Sequence, residues 1–141
     1  MNKKTTVFGV GKLNGTVKQR IENYKKYGTK EFFSQEGLNT VGEFILGDAN
    51  EVAKTWDKGE LGLIFIDGDH SYEGCKKDIE SWLPFLKQGG YMLFHDYDLP
   101  TSPGVVRAVD ELVKNSNKFI DFFVGKEIYQ MATSIVGGKK I

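Results

Sequence analysis

The stretch from Leu61 to Asp98 constrains the fold more than any other part of the chain. It opens with the apolar run Leu61-Gly62-Leu63-Ile64-Phe65-Ile66, which stops at Asp67-Gly68-Asp69-His70. A helical segment follows, and a second apolar run, Tyr91-Met92-Leu93-Phe94, stops at His95-Asp96. Short runs that are apolar on both alternating sides are the pattern of strands buried on both faces, as in parallel sheets flanked by helices. In such open sheets, ligands bind outside the carboxyl ends of neighbouring strands. Carboxylates and a histidine at the end of two successive strands therefore mark a candidate site.

The rest of the chain alternates in the same way. Val7–Val10 reads as a strand stopped by Gly11, and Thr16–Tyr27 as an amphipathic helix carrying Val17, Ile21 and Tyr24 on one face, ended by Gly28. Glu31–Asn39 has no clear period and reads as a loop or short helix. Glu43–Leu46 is a strand closed by Gly47. Asp48-Ala49-Asn50-Glu51 then spells a capping box for a helix that runs through Trp56 and buries Val52, Ala53 and Trp56. Ser71 starts the next helix, with Cys75, Ile79, Trp82, Leu83 and Leu86 on its face. Pro84 should loosen the last turn, and Gly89-Gly90 should end it. Ser102-Pro103 supplies an N-cap and first-turn proline for a helix carrying Val105, Val106, Val109, Leu112 and Val113. Phe119–Val124 and Ile128–Val136 then suggest an antiparallel hairpin. The order β-α-β-α-β-α-β-α-β-β predicts a single α/β domain over residues 1–141, with a mostly parallel sheet between two helical layers.

Composition excludes several classes of partner. The 141 residues hold 19 Lys plus Arg against 19 Asp plus Glu, so no net field draws nucleic acid or an anionic membrane. No apolar stretch approaches the roughly 20 residues of a membrane span. The apolar run after the basic start is too short for a signal-peptide core of about 7–15 residues, so a cytoplasmic setting is expected. The single cysteine, Cys75, cannot form an internal disulfide; on the apolar face of a helix it is a small core residue.

If the two central strands are neighbours, Asp67, Asp69, His70, His95 and Asp96 converge within a few ångströms. Carboxylate oxygens with imidazole nitrogen suit a divalent cation, with Mg²⁺, Ca²⁺ or Mn²⁺ favoured over zinc by the oxygen-rich donor set. A cation there would polarise a bound hydroxyl, and His70 or an unligated carboxylate could take its proton. Gly68 would let backbone approach a ligand closely. Each residue also has a structural role open to it: Asp69 can cap the Ser71 helix, Asp48 has a complete task as an N-cap, and His95 and Asp96 can bond loop backbone. Gly9–Gly15 invites a phosphate-loop reading, but its spacing fits neither the dinucleotide fingerprint nor the P-loop.

Asp67-Gly68-Asp69-His70-Ser71-Tyr72, with Leu83-Pro84-Phe85-Leu86-Lys87-Gln88-Gly89-Gly90 and Phe94-His95-Asp96 behind it, resembles the class I S-adenosylmethionine-dependent methyltransferases. The group it is most similar to has an Asp-Gly-Asp/Ser-His signature and includes the macrocin-type sugar and catechol-type O-methyltransferases. The resemblance covers Val41 to Val113, with weaker similarity toward both ends. It implies a three-layer Rossmann-like sheet, S-adenosylmethionine as cofactor, a divalent cation, and a small hydroxyl-bearing acceptor such as a sugar or polyketide. It carries the metal positions onto Asp67, His95 and Asp96, and proton abstraction onto His70 beside Asp67. Cofactor contacts fall on Gly47, Asp48 and Ala49, the turn that packs on the adenine, with Asp67, Gly68 and Asp69.

The family's glycine-rich first strand has no counterpart here. Val7–Gly15 aligns with the second strand, with Gly11 near the position of the acidic residue that grips the ribose. A domain missing its first strand and helix is expected to bind cofactor weakly and to pair its exposed sheet edges in a homo-oligomer. Two rival expectations follow: a catalytically impaired binding or assembly module acting as an oligomer or with a partner, and a metal-dependent hydrolase using the same strand ends to activate water.

Overall fold

The computed structural model describes residues 7–11, 42–125 and 135–141. The expected helix at Thr16–Tyr27, the segment Glu31–Asn39, the loop beyond Gly11 and most of Ile128–Val136 lie outside these residues. The chain falls into two compact units, Met1–Val52 and Ala53–Ile141.

In the first unit, β1 (Val7–Gly11) pairs in parallel with β2 (Gly42–Leu46), in the register Val7 opposite Gly42 and Gly11 opposite Leu46. Asp48 then caps α1 (Ala49–Lys54): its Oδ1 accepts from the backbone N–H of Asn50 at 2.9 Å and of Glu51 at 3.1 Å. The helix stops short of Trp56, which the sequence placed within it.

The second unit is built on a four-stranded mixed sheet in the order β3-β4-β6-β5. β3 (Leu61–Ile66) runs parallel to β4 (Leu86–Phe94); β6 (Ile135–Lys140) lies antiparallel to both β4 and β5 (Phe119–Gly125). The expected antiparallel pairing of the last two runs is present. Over the described residues its second strand sits between β4 and β5. β5 carries a bulge between Ile120 and Phe123, with Asp121 at φ 54°.

α2 (Tyr72–Trp82) lies between β3 and β4, and buries Cys75, Asp78, Ile79 and Trp82. Pro84 ends it earlier than the glycines would, through a 3₁₀ turn over Leu83–Phe85, and β4 begins at Leu86. Lys140 Nζ donates to the carbonyls of Leu83 at 3.1 Å and Leu86 at 2.6 Å, tying β6 to the turn that leads into β4. Gly89-Gly90 has another task. Gly89 adopts φ 76°, and a Cβ on Gly90 would stand 2.9 Å from the Gly62 carbonyl oxygen. Together they let β4 slip register, so that Leu61 opposes Leu86 while Leu63 opposes Tyr91. α3 (Pro103–Val109) continues as a π turn over Asp110–Lys114.

Ile64, Met92, Phe94 and Val136 of the sheet are buried, together with Cys75, Ile79, Val105, Ala108, Val109 and Val113 from the helical segments. Among the described residues, the burial expected on both faces of β3 and β4 is met on one. Leu63, Phe65 and Tyr91 are exposed, as are Ile120 and Phe123 further along the same rows. Register places Leu63, Tyr91, Lys139 and Ile120 in one row across the sheet, and Phe65, Leu93, Gly137 and Phe123 in the next. An alternating apolar pattern tells which residues a strand can bury, whereas tertiary packing decides which faces are covered.

Candidate active site at two parallel strand ends

β3 and β4 end side by side because their parallel ladder runs to the last residue, with Ile66 opposite Phe94, and is prolonged by a bond from His95 N–H to the Ile66 carbonyl at 3.1 Å. Asp67 and His95 therefore leave the sheet as neighbours. Asp67 Oδ1 lies 3.7 Å from His95 Nδ1, and Asp96 Oδ1 lies 3.0 Å from the same nitrogen. One donor atom from each of Asp67, His95 and Asp96 falls within 4.8 Å of the others. His70 joins from the β3 loop, its Nε2 standing 3.1 Å from Asp96 Oδ2. Four of the residues singled out in the sequence thus form one constellation.

The Asp96 backbone has φ 57°, a left-handed conformation that aspartate tolerates better than most residues but that still carries strain. The neighbouring Tyr97 anchors the loop. Its hydroxyl donates to Asp110 Oδ1, and its ring lies 6.1 Å from that of Phe122. Burial, then the Asp110 bond and charge, push the Tyr97 hydroxyl up to about 12. Asp110 stands where α3 passes into the π turn, so the anchor ties the β4 loop to that irregular segment.

The β3 loop is held by local turn chemistry. Asp69 Oδ1 accepts from Ser71 N–H at 2.8 Å, and Ser71 Oγ accepts from Gly74 N–H at 3.0 Å, capping α2. The cap is Ser71 itself, and Asp69, to which the sequence left that role open, instead closes the turn that leads into it. Gly68 packs closely on a neighbouring side chain: a Cβ there would come within 2.6 Å of the Asp78 carboxylate. Cys75 is buried as expected, and its thiol is pushed up to about 12 by burial first and by Asp78 and Asp69 second, which makes it a poor nucleophile. Tyr72 is turned toward α3, donating to Glu111 Oε2 at 2.8 Å with the Arg107 guanidinium 4.0 Å over its ring. Gly47, Asp48 and Ala49 belong to the first unit, where Asp48 is the α1 cap described above.

The donor set can be tested against a cation. His95 Nδ1 is buried and has no hydrogen-bond partner among the described residues, although two carboxylate oxygens face it. A buried polar atom without a partner calls for an explanation, and a cation shared with those oxygens supplies one. Two carboxylates and one imidazole form a mixed, oxygen-rich set of the kind that takes Mg²⁺ or Mn²⁺. The residues fit the group.

Ser102 belongs to the same constellation and was read in the sequence only as a helix cap. It occupies the N-cap position of α3, but its side chain makes no capping bond there. Its Oγ lies instead 3.2 Å from His70 Nδ1, and the residue is wholly buried. No local pattern signals this partnership, because the two residues are 32 positions apart.

Comparison with known proteins agrees with this architecture. A family model described as a methyltransferase domain matches residues 7–97. A 54-residue segment, 38% of this chain and 24% of the relative, is 39% identical to the uncharacterized protein R132 of Acanthamoeba polyphaga mimivirus. Among solved structures, cofactor-bound Rv0187 from MTB superposes with a TM-score of 0.72 at 12% identity, covering 96% of this chain and 61% of that one. The O-methyltransferase from Bacillus cereus in complex with SAH gives 0.68 at 14% identity, covering 96% of this chain and 63% of that one. The chain thus spans less than two thirds of the length of either solved structure. With the family model covering most of the chain and the fold matching throughout, the protein belongs to the methyltransferase domain family.

Proposed function

We propose that the chain is an S-adenosylmethionine-dependent O-methyltransferase, assisted by a divalent cation, that acts on a small hydroxyl-bearing acceptor. The observation that carries this reading is the convergence of Asp67, His95 and Asp96 around the partnerless His95 Nδ1. Family membership and the SAH-bound Bacillus cereus relative support the choice of cofactor. Gly47, Asp48 and Ala49, with Asp67, Gly68 and Asp69, are the proposed cofactor contacts. A cytoplasmic setting suits such a reaction, and no helix among the described residues is long and apolar enough to cross a membrane.

In the reaction, the acceptor oxygen attacks the methyl carbon of the sulfonium. The cofactor would supply the methyl group, the carbon–sulfur electron pair leaving with sulfur, and the hydroxyl proton would pass to a base among this chain's residues. Asp67, His95 and Asp96 would hold the cation, which supplies Lewis-acid polarisation of a bound hydroxyl. Asp67 and His70, with side chains 52% and 44% exposed, are the members open enough to meet an acceptor and take the proton.

Titration calorimetry with S-adenosylmethionine and Mn²⁺, paired with a methyl-transfer assay over a panel of sugars and phenols, tests the proposal. Cofactor binding with cation-dependent turnover supports it; neither binding nor turnover sinks it for this chain.

The exposed side chains of Leu63, Phe65, Tyr91 and Phe123 favour one further reading, a binding module that works as a homo-oligomer. Apolar patches of this kind on soluble proteins commonly mark interaction sites. With equal numbers of acidic and basic residues, two copies would meet without net repulsion. Light scattering that finds a monomer still able to bind the cofactor would count against this alternative.

A further inference from the structure

We infer that Ser102 is a positioning residue that holds His70 in a single tautomer, and that His70 in turn orients the Asp96 carboxylate. The inference rests on the cation reading above for its second half only. Three observations carry it. Ser102 Oγ is 3.2 Å from His70 Nδ1, and His70 Nε2 is 3.1 Å from Asp96 Oδ2, so both ring nitrogens are engaged. Ser102 is wholly buried and stands at a helix N-cap, yet its hydroxyl leaves the capping bond unmade and turns to His70. Finally, Gly104 lets the first turn of α3 sit directly on the His70–Tyr72 backbone: a Cβ there would overlap the Tyr72 amide and stand 2.5 Å from the His70 carbonyl oxygen.

The tautomer follows from the acceptor side. An ionised Asp96 carboxylate can only accept, so the neutral ring places its proton on Nε2. Nδ1 is then the acceptor, and the Ser102 hydroxyl donates to it. The opposite tautomer would set the Nε2 lone pair against the carboxylate at 3.1 Å. With Oδ2 held by His70, Asp96 Oδ1 stays turned toward His95 Nδ1, 3.0 Å away, where a cation would be shared. Groups that orient a metal ligand from outside commonly matter nearly as much as the ligand itself. The ring's one lone pair is engaged by Ser102, so His70 becomes a positioning residue.

The experiment uses the whole chain and exploits its having only two histidines, His70 and His95. Imidazole ¹⁵N shifts at pH 8, assigned with His95→Gln, should show His70 protonated on Nε2; protonation on Nδ1 would overturn the inference and return the base role to His70. Mn²⁺ affinity is then measured for Ser102→Ala, Ser102→Thr, His70→Ala and the double variant Ser102→Ala/His70→Ala, with circular dichroism as a folding control. Ser102→Ala should weaken binding about 10-fold, the lower end for outer-sphere partners. Ser102→Thr should restore it, and the double variant should be no weaker than His70→Ala alone. Ser102→Ala binding like wild type, or losing affinity equally without His70, would also overturn it. If wild type binds no Mn²⁺, the cation reading fails while the tautomer result still decides the role of Ser102. Should Ser102→Ala not fold, the wild-type tautomer and the threonine variant carry the test.

Discussion

The two strand ends that meet at the site are secured by different means. After β3, the chain is held by bonds between residues two and three apart: Asp69 to Ser71 and Ser71 to Gly74. Its functional side chains stay open, with Asp67 52% exposed. After β4, the hold comes from a distance. Tyr97 reaches Asp110 on the far side of α3, Ser102 reaches back to His70, and Asp96 sits 10% exposed in a left-handed conformation. The β3 turn is closed by its own short-range bonds, with α3 docked on its far end at His70 and Tyr72, whereas the β4 end takes its shape from the elements packed around it. The site should therefore tolerate local change after β3 and respond strongly to anything that moves α3.

The strongest way to break this contrast is Gly104→Ala, where the added methyl would overlap the Tyr72 amide and crowd the His70 carbonyl. Backbone has little room to yield, so urea denaturation should show a loss of about 3 kcal/mol, the upper end for overpacking. Gly68→Ala meets only the end of the Asp78 side chain and should cost about 1 kcal/mol, at the lower end of the same range.

At Asp96, backbone and side chain can be separated. Asp96→Ala should be less stable than Asp96→Gly by about 1 kcal/mol, since alanine is strained at positive φ and glycine is not. Both should lose Mn²⁺ binding. Equal stability of the two variants would show that the left-handed turn is not maintained in solution.

The smallest expected effect concerns the tyrosine anchor and appears best at high pH. Tyr97→Phe should cost about 1 kcal/mol at neutral pH, the net worth of a typical hydrogen bond. The folded state holds the Tyr97 hydroxyl and the Cys75 thiol up to about 12, from ordinary values of 10.0 and 9.0. Above these ordinary values the unfolded chain releases protons that the folded chain retains, so stability falls as pH rises from 9 toward 12. Tyr97→Phe removes the part of that decline that begins near 10, and Cys75→Ser the part that begins near 9. A stability profile flat to pH 12 in the wild type would contradict both shifts.

Much of this was legible in the amino-acid order. Leu61–Ile66 is a strand from its first residue to its last, and Asp48 and Ser71 cap their helices, because strand patterning and capping are short-range physics. Asp67, His70, His95 and Asp96 could be named for the same reason: each stands at or just beyond a strand whose end is locally encoded. The later boundaries were less visible. Gly89-Gly90 looked like a helix stop and instead makes a register slip inside β4, a role defined only by the backbone of β3 opposite. Ser102 looked like a cap and bonds a histidine, because its choice of partner depends on where α3 lands.

The order of residues by itself determined the α/β alternation, the positions of β3 and β4, and the chemistry available at their ends. Tertiary structure alone decided which sheet face the helices cover, the placing of β6 between β4 and β5, and the Ser102–His70–Asp96 chain. The physical reason is range. Propensity, periodicity and capping act over a few residues, whereas burial and side-chain hydrogen bonding are settled between segments that meet only when the chain has folded.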